Sequence, residues 1–146
     1  MKRLTLLLLG ALLAPLSATA EPPPPSAELL LRAIDIPLTP ERLEAAGLDE
    51  DFAAAALADA ARDRYARVRA LGALAVHGSP HARQLIEAAA LADADEAVRA
   101  QALISLARAF GPDDRAAVTS FLIDRLPLAT AAEVELIDRE LRRLHP

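Results

Sequence analysis

The chain contains no cysteine and no tryptophan. The missing cysteine excludes a disulfide framework, thiol chemistry and an acylated-cysteine lipid anchor. Any fold must hold together by packing alone. Aromatic residues are few: Phe52, Tyr65, Phe110 and Phe121. There is no asparagine, and no lysine after Lys2, which reads as a coding bias rather than a functional signal. No segment sustains the period-two alternation of β-branched residues that marks a strand. Beyond the N-terminus no segment is apolar enough to cross a membrane.

Residues 1–20 read as a signal peptide. Lys2 and Arg3 form a charged n-region, Leu4 to Leu16 an apolar run, and Ala18-Thr19-Ala20 a small-residue cleavage site. The apolar run falls short of the roughly 20 residues that span a bilayer; an uncleaved anchor is the alternative. The expected product is exported, periplasmic or secreted, with no membrane insertion after cleavage. It starts at Glu21 and has about 126 residues, the size of one domain. Without Lys2 and Arg3, fourteen basic residues face 21 acidic ones, a charge of about −7. That balance excludes general nucleic-acid binding, which needs a basic face, and docking on anionic lipid.

Residues 21–25 form a proline-rich linker, a stiff polyproline II spacer or, less simply, a ligand for an aromatic groove. Residues 26–146 read as helices. Alanine, the best helix former, makes up roughly a quarter of the chain. Ser26, Thr39-Pro40, Asp49, Asp63, Ser79-Pro80, Asp93, Asp113 and Thr130 are the expected helix starts. Asp93 with Glu96, and Thr130 with Glu133, have capping-box spacing. Gly47, Gly78 and Gly111-Pro112 are the expected stops, and the helix opened at Asp49 should run to about Arg62. Val134, Ile137, Leu141 and Leu144 form the expected apolar stripe of the last helix. Short loops predict successive helices lying antiparallel.

Two stretches read alike thirty residues apart: Asp63-x4-Val68-Arg69-Ala70 and Asp93-x4-Val98-Arg99-Ala100. Small residues follow at the same offset, Gly72 and Ala102, then Val76 and Leu106. Such a period implies helices stacked in a row. The phrase, with a second helix after a Gly/Pro turn, resembles the HEAT repeat in its short bacterial, PBS-lyase HEAT-like form. The resemblance covers residues 63–126; Ser26-x4-Leu31-Arg32-Ala33 is a fainter echo. It implies an all-α fold, a short α-solenoid of antiparallel helix pairs with about seven helices after the signal peptide. It also implies that Asp63 and Asp93 cap helices and accept bonds from Arg69 and Arg99 in a ladder, with Val68 and Val98 packed inward.

Candidate chemistry is sparse. His77 and His81 are spaced like metal ligands, but Gly78-Ser79-Pro80 separates them and no third ligand is evident, so no metal is expected. Ser79 and His81 lack the elbow of a nucleophile. Asp49-Glu50-Asp51 reads as an acidic first turn, not a calcium loop. Arg62, Arg64, Arg67 and Arg69 surround Tyr65 in one basic patch. It reads either as ladder and solvated face or, through Arg62, Arg64, Tyr65 and Arg67, as a hot spot for an acidic protein partner, Tyr and Arg being enriched there. The expected function is a protein- or peptide-binding module (adaptor, inhibitor or assembly factor) without cofactor or catalytic residues. The alternative is a lyase-like enzyme or enzyme subunit on the same fold, since some HEAT-like proteins are similar to chromophore lyases.

Overall fold

A computed structural model describes residues 25–146. The expected signal peptide, and all of the linker except Pro25, lie outside the described residues. Among the described residues the chain is all-helical, with eight α-helices and no strand. They are α1 (Ala27–Arg32), α2 (Pro40–Ala46), α3 (Glu50–Ala58), α4 (Arg64–His77), α5 (Pro80–Ala92), α6 (Glu96–Ser105), α7 (Arg115–Arg125) and α8 (Ala131–Leu144). A π-helical turn, Leu106–Phe110, extends α6, and a 3-10 turn, Leu126–Leu128, follows α7.

Each α-helix starts where a short polar side chain accepts an amide that would otherwise lack a partner. Ser26, Thr39, Asp49, Asp63, Ser79 and Thr130 do this at the expected places. Two starts move. Asp95, not Asp93, caps α6 by accepting from the Ala97 amide. Asp93 is still closing α5, its own amide donating to the Ala89 carbonyl, so its backbone is not free to open a helix. Asp114, not Asp113, caps α7. Likewise α3 stops at Ala58, short of Arg62, because the Asp59 carboxylate turns the chain by accepting from the Ala61 amide. Gly47 and Gly78 end α2 and α4 at φ values of 66° and 65°, a left-handed conformation that favours glycine.

The core interleaves large and small side chains. Leu30, Leu31, Leu71, Leu74, Ile86, Leu103, Leu122 and Ile137 are fully buried beside Ala66, Ala70, Ala73, Ala90 and Ala102. Helix α4 packs on α1 and α6, and α6 packs on α8. Helix α3 packs on α4 and α5, α5 on α6, and α7 on α8. Val98 is fully buried and Val68 partly. The expected stripe of α8 is shifted. Ile137 and Leu144 face inward, but Val134 is exposed and the buried set adds Glu133, Leu136 and Glu140. Positions 133, 136, 137, 140 and 144 share one helical face, and Val134 stands outside it.

Polar bonds tie residues about one repeat apart. Ser79 donates to Glu50, and His77 Nε2 pairs with the Leu48 carbonyl, each across 29 residues. Arg64 reaches Asp95 and Arg83 reaches Asp114, each across 31. Arg99 reaches Glu133 and Thr130 reaches Glu96, each across 34. The motif's arginines have other partners than the resemblance implies. Arg69 donates to the carbonyls of Leu30 and Ile36, not to an aspartate. It is Arg67 that pairs with Asp93. The reason is rotational: Asp63 and Arg69 are six residues apart, hence about 120° apart around the axis. Arg64 and Arg67 face α6, whereas Arg69 faces α1. Arg99 donates to the Asp93 backbone carbonyl and gives its Nε–H to Glu133.

Arg99 is therefore a more consequential arginine than Arg142. Its side chain is 16% exposed and bonds a buried carboxylate, while Arg142 is 70% exposed and pairs with Asp138 on its own helix. Arg99→Ala should cost about 1–3 kcal/mol, and Arg142→Ala about 0.5 kcal/mol or less. Equal urea midpoints for the two variants would contradict the cross-repeat role of Arg99.

Candidate functional site

The starts of α6 and α8, with the loop before α4, border an open groove of about 710 Å³. Its apolar lining is small: Ala60, Ala94, Ala97, Ala100, Ala132 and Leu136. Its charged lining is Arg64, Arg67, Asp95, Glu96 and the buried Glu133. Helices α6 and α8 run in the same direction with matched ends. Thr130 meets Glu96 and Arg99 meets Glu133 near their starts, and Arg108 meets Glu140 further along.

The charged lining is a network of pairs. Arg64 Nε lies 2.6 Å from Asp95 Oδ2 and, as the main cause, holds that carboxyl below its usual range. Arg67 pairs with Asp93 and donates to the Leu57 carbonyl. Glu133 accepts from Arg99, Arg125 and the Thr130 amide at 2.8, 3.1 and 3.0 Å. Burial pushes the Glu133 carboxyl up, but the Thr130 amide and the two guanidiniums together outweigh burial and hold it below 4.5.

The expected partner patch is split. Arg64 and Arg67 reach the groove. Arg62 turns away to Glu28 at 2.8 Å, with its guanidinium 5.8 Å from the centre of the Phe52 ring. Tyr65 donates its hydroxyl to the Ala33 carbonyl. Positions 62 and 65 thus serve the α1 junction, and each of the three arginines already faces a carboxylate. The four residues do not form one basic face.

A different cluster does carry surplus positive charge, and sequence reading missed it. Arg108, Arg139 and Arg143 converge on Glu140 at 3.1, 3.7 and 3.0 Å. Glu140 is fully buried, and Arg108 and Arg143 offset the burial that would raise its carboxyl. Arg143 also donates to the Ala107 carbonyl in the π-helical turn. The available signal was the spacing of Glu133 and Glu140, seven residues apart among Leu136, Ile137 and Leu144. A carboxylate on the buried stripe of a helix requires basic partners from a neighbouring helix.

The remaining candidates have structural roles here. Asp49 caps α3, and Glu50 holds the Ser79 hydroxyl that caps α5. His77 lines a second cavity, of about 470 Å³, with Leu43, Leu48 and Val76, while His81 is exposed on α5. Among the described residues no group of three or more His, Asp or Glu side chains is arranged to hold a metal ion. No helix among them is long and apolar enough to cross a membrane. No family model, curated protein or solved structure matches this chain.

Proposed function

We propose that this chain is an exported protein-binding module, a short HEAT-like α-solenoid of antiparallel helix pairs that holds a peptide segment of a partner protein. The observation that carries the reading is the open, alanine-lined groove between the starts of α6 and α8. Alanine side chains let a strand or helix of the partner come close, because approach distance is set by the side chains at the contact. The bonds across 29 to 34 residues favour a stacked array, in which each repeat touches only its neighbours and the array presents an extended surface. They also hold the groove walls in place before a ligand arrives, which lowers the ordering cost of binding.

The groove is tested by selection from a displayed random-peptide library against the purified protein and against Ala132→Trp. Ala132 is an exposed part of the lining, so an indole there occupies the groove without overfilling the core. The expected result is enriched peptides that bind the variant at least tenfold more weakly. No enrichment, or equal binding to both proteins, would overturn the reading.

A further inference from the structure

Past the groove, whose lining ends at Ala100 and Leu136, the seam between α6 and α8 continues. Leu136 is followed one helical turn later by Arg139 and Glu140, and Ala100 two turns later by Arg108. From the Arg99–Glu133 bond to the Arg108–Glu140 bond is about 12 Å along the helices, the length of about four extended residues. The two ends of the seam differ in charge. At the first, Arg99 and Arg125 share Glu133, beside the pairs Arg64–Asp95 and Arg67–Asp93. At the second, three guanidiniums share one carboxylate, an arrangement found nowhere else among the described residues.

The exposures sharpen the contrast. Arg108, Arg139 and Arg143 are 55%, 60% and 47% exposed, whereas Glu140 is 1% exposed. The neutralising charge is therefore inside and the guanidinium edges face out. Arginine presents five donors in a planar fork, more than one shared carboxylate can occupy, so donors remain for a second acceptor. This is a local excess of two positive charges in a chain whose acidic residues outnumber its basic ones, 21 to 16.

We infer that the arginine end of the α6–α8 seam binds acidic side chains of a partner peptide whose small apolar residues occupy the alanine-lined groove. The preferred ligand has alanine-like residues followed by aspartate or glutamate. This rests on the groove reading above and adds polarity and charge preference to it. The acidic end fixes the direction in which the peptide lies, and the paired charges at the other end carry no such preference.

The test uses two fluorescein-labelled octapeptides, four alanines followed by four glutamates and four alanines followed by four glutamines. Binding is read by fluorescence polarisation at low salt. The expected result is at least tenfold tighter binding of the glutamate peptide, weakening as salt rises. The Arg108→Gln, Arg139→Gln double variant should remove that preference. Both side chains pair with the buried Glu140, so it should also melt lower. An unchanged helical circular dichroism spectrum at the assay temperature shows that it is folded. Glutamate binding that needs Arg108 and Arg139 but survives Ala132→Trp would support the arginine site and overturn the groove. Library peptides bound in the groove without charge preference and unaffected by the double variant would leave the groove standing and overturn the arginine site. So would glutamate and glutamine peptides binding alike, or binding to anionic lipid vesicles in place of the glutamate peptide.

Discussion

Replacing Glu133 with alanine should lower folding stability by about 3–5 kcal/mol, the usual cost of removing one partner from a buried ion pair. Glu133 is 1% exposed and serves two guanidiniums, Arg99 and Arg125, the second of which is 6% exposed. It also accepts the Thr130 amide and so closes the capping box of α8. Arg125 Nε has no hydrogen-bond partner even in the intact chain, so loss of the carboxylate would leave that guanidinium buried and unpaired. Glu133→Gln keeps the shape and should cost less. The sign with pH follows from the depressed carboxyl. A folded value below the unfolded one adds stability that is present above the ordinary glutamate range. It is lost as pH falls through the folded value, below about 4.5. Urea unfolding of both proteins at pH 7 and pH 3 should therefore show a penalty for Glu133→Ala that shrinks in acid. A penalty under 1 kcal/mol at pH 7 would contradict the buried network.

Gly111→Ala should destabilise by about 3 kcal/mol or more, the upper part of the overpacking range. Local reasoning gives the opposite sign. Gly111 has φ −61° and ψ −35°, a conformation any residue adopts, and alanine there would ordinarily help by about 1 kcal/mol. Packing reverses the sign. A Cβ on Gly111 would lie 2.3 Å from the Ala107 carbonyl oxygen and 2.4 Å from Leu144 Cδ2. Leu144 can rotate, but the carbonyl belongs to the π-helical turn and cannot move without the backbone. The glycine thus lets the end of α8 seat against the turn that presents Arg108. A fall in melting temperature of about 10 °C is expected; an unchanged or higher value would show that the turn relaxes freely.

These two positions mark where sequence reading stops. Helix starts are local: Ser26, Thr39, Asp49, Asp63, Ser79 and Thr130 each bond an amide three residues on, so the chain itself displays them. Where two aspartates compete, as at Asp93 and Asp95 or at Asp113 and Asp114, the choice depends on how the previous helix ends. Arginine partners depend on rotation about a helix axis and on which neighbour lies across the face. Arg67 and Arg69 are adjacent in kind and spacing, yet one serves Asp93 and the other two backbone carbonyls near α1. The candidate patch is divided for that reason. Arg62 and Tyr65 belong to one junction, Arg64 and Arg67 to the next. The buried Glu133 and Glu140 were hidden differently, because charged residues on a helix are usually solvated.

The most direct test of the account maps peptide-induced amide chemical shifts on the isotope-labelled protein, using a library-selected peptide and the alanine–glutamate octapeptide. Shifts concentrated on Ala97, Ala100, Ala132 and Leu136, and extending to Arg108 and Arg139 with the glutamate peptide, are the predicted result. Shifts confined to α3, α5 and α7, with the α6–α8 seam unmoved, would contradict the claim that this seam is where the protein binds.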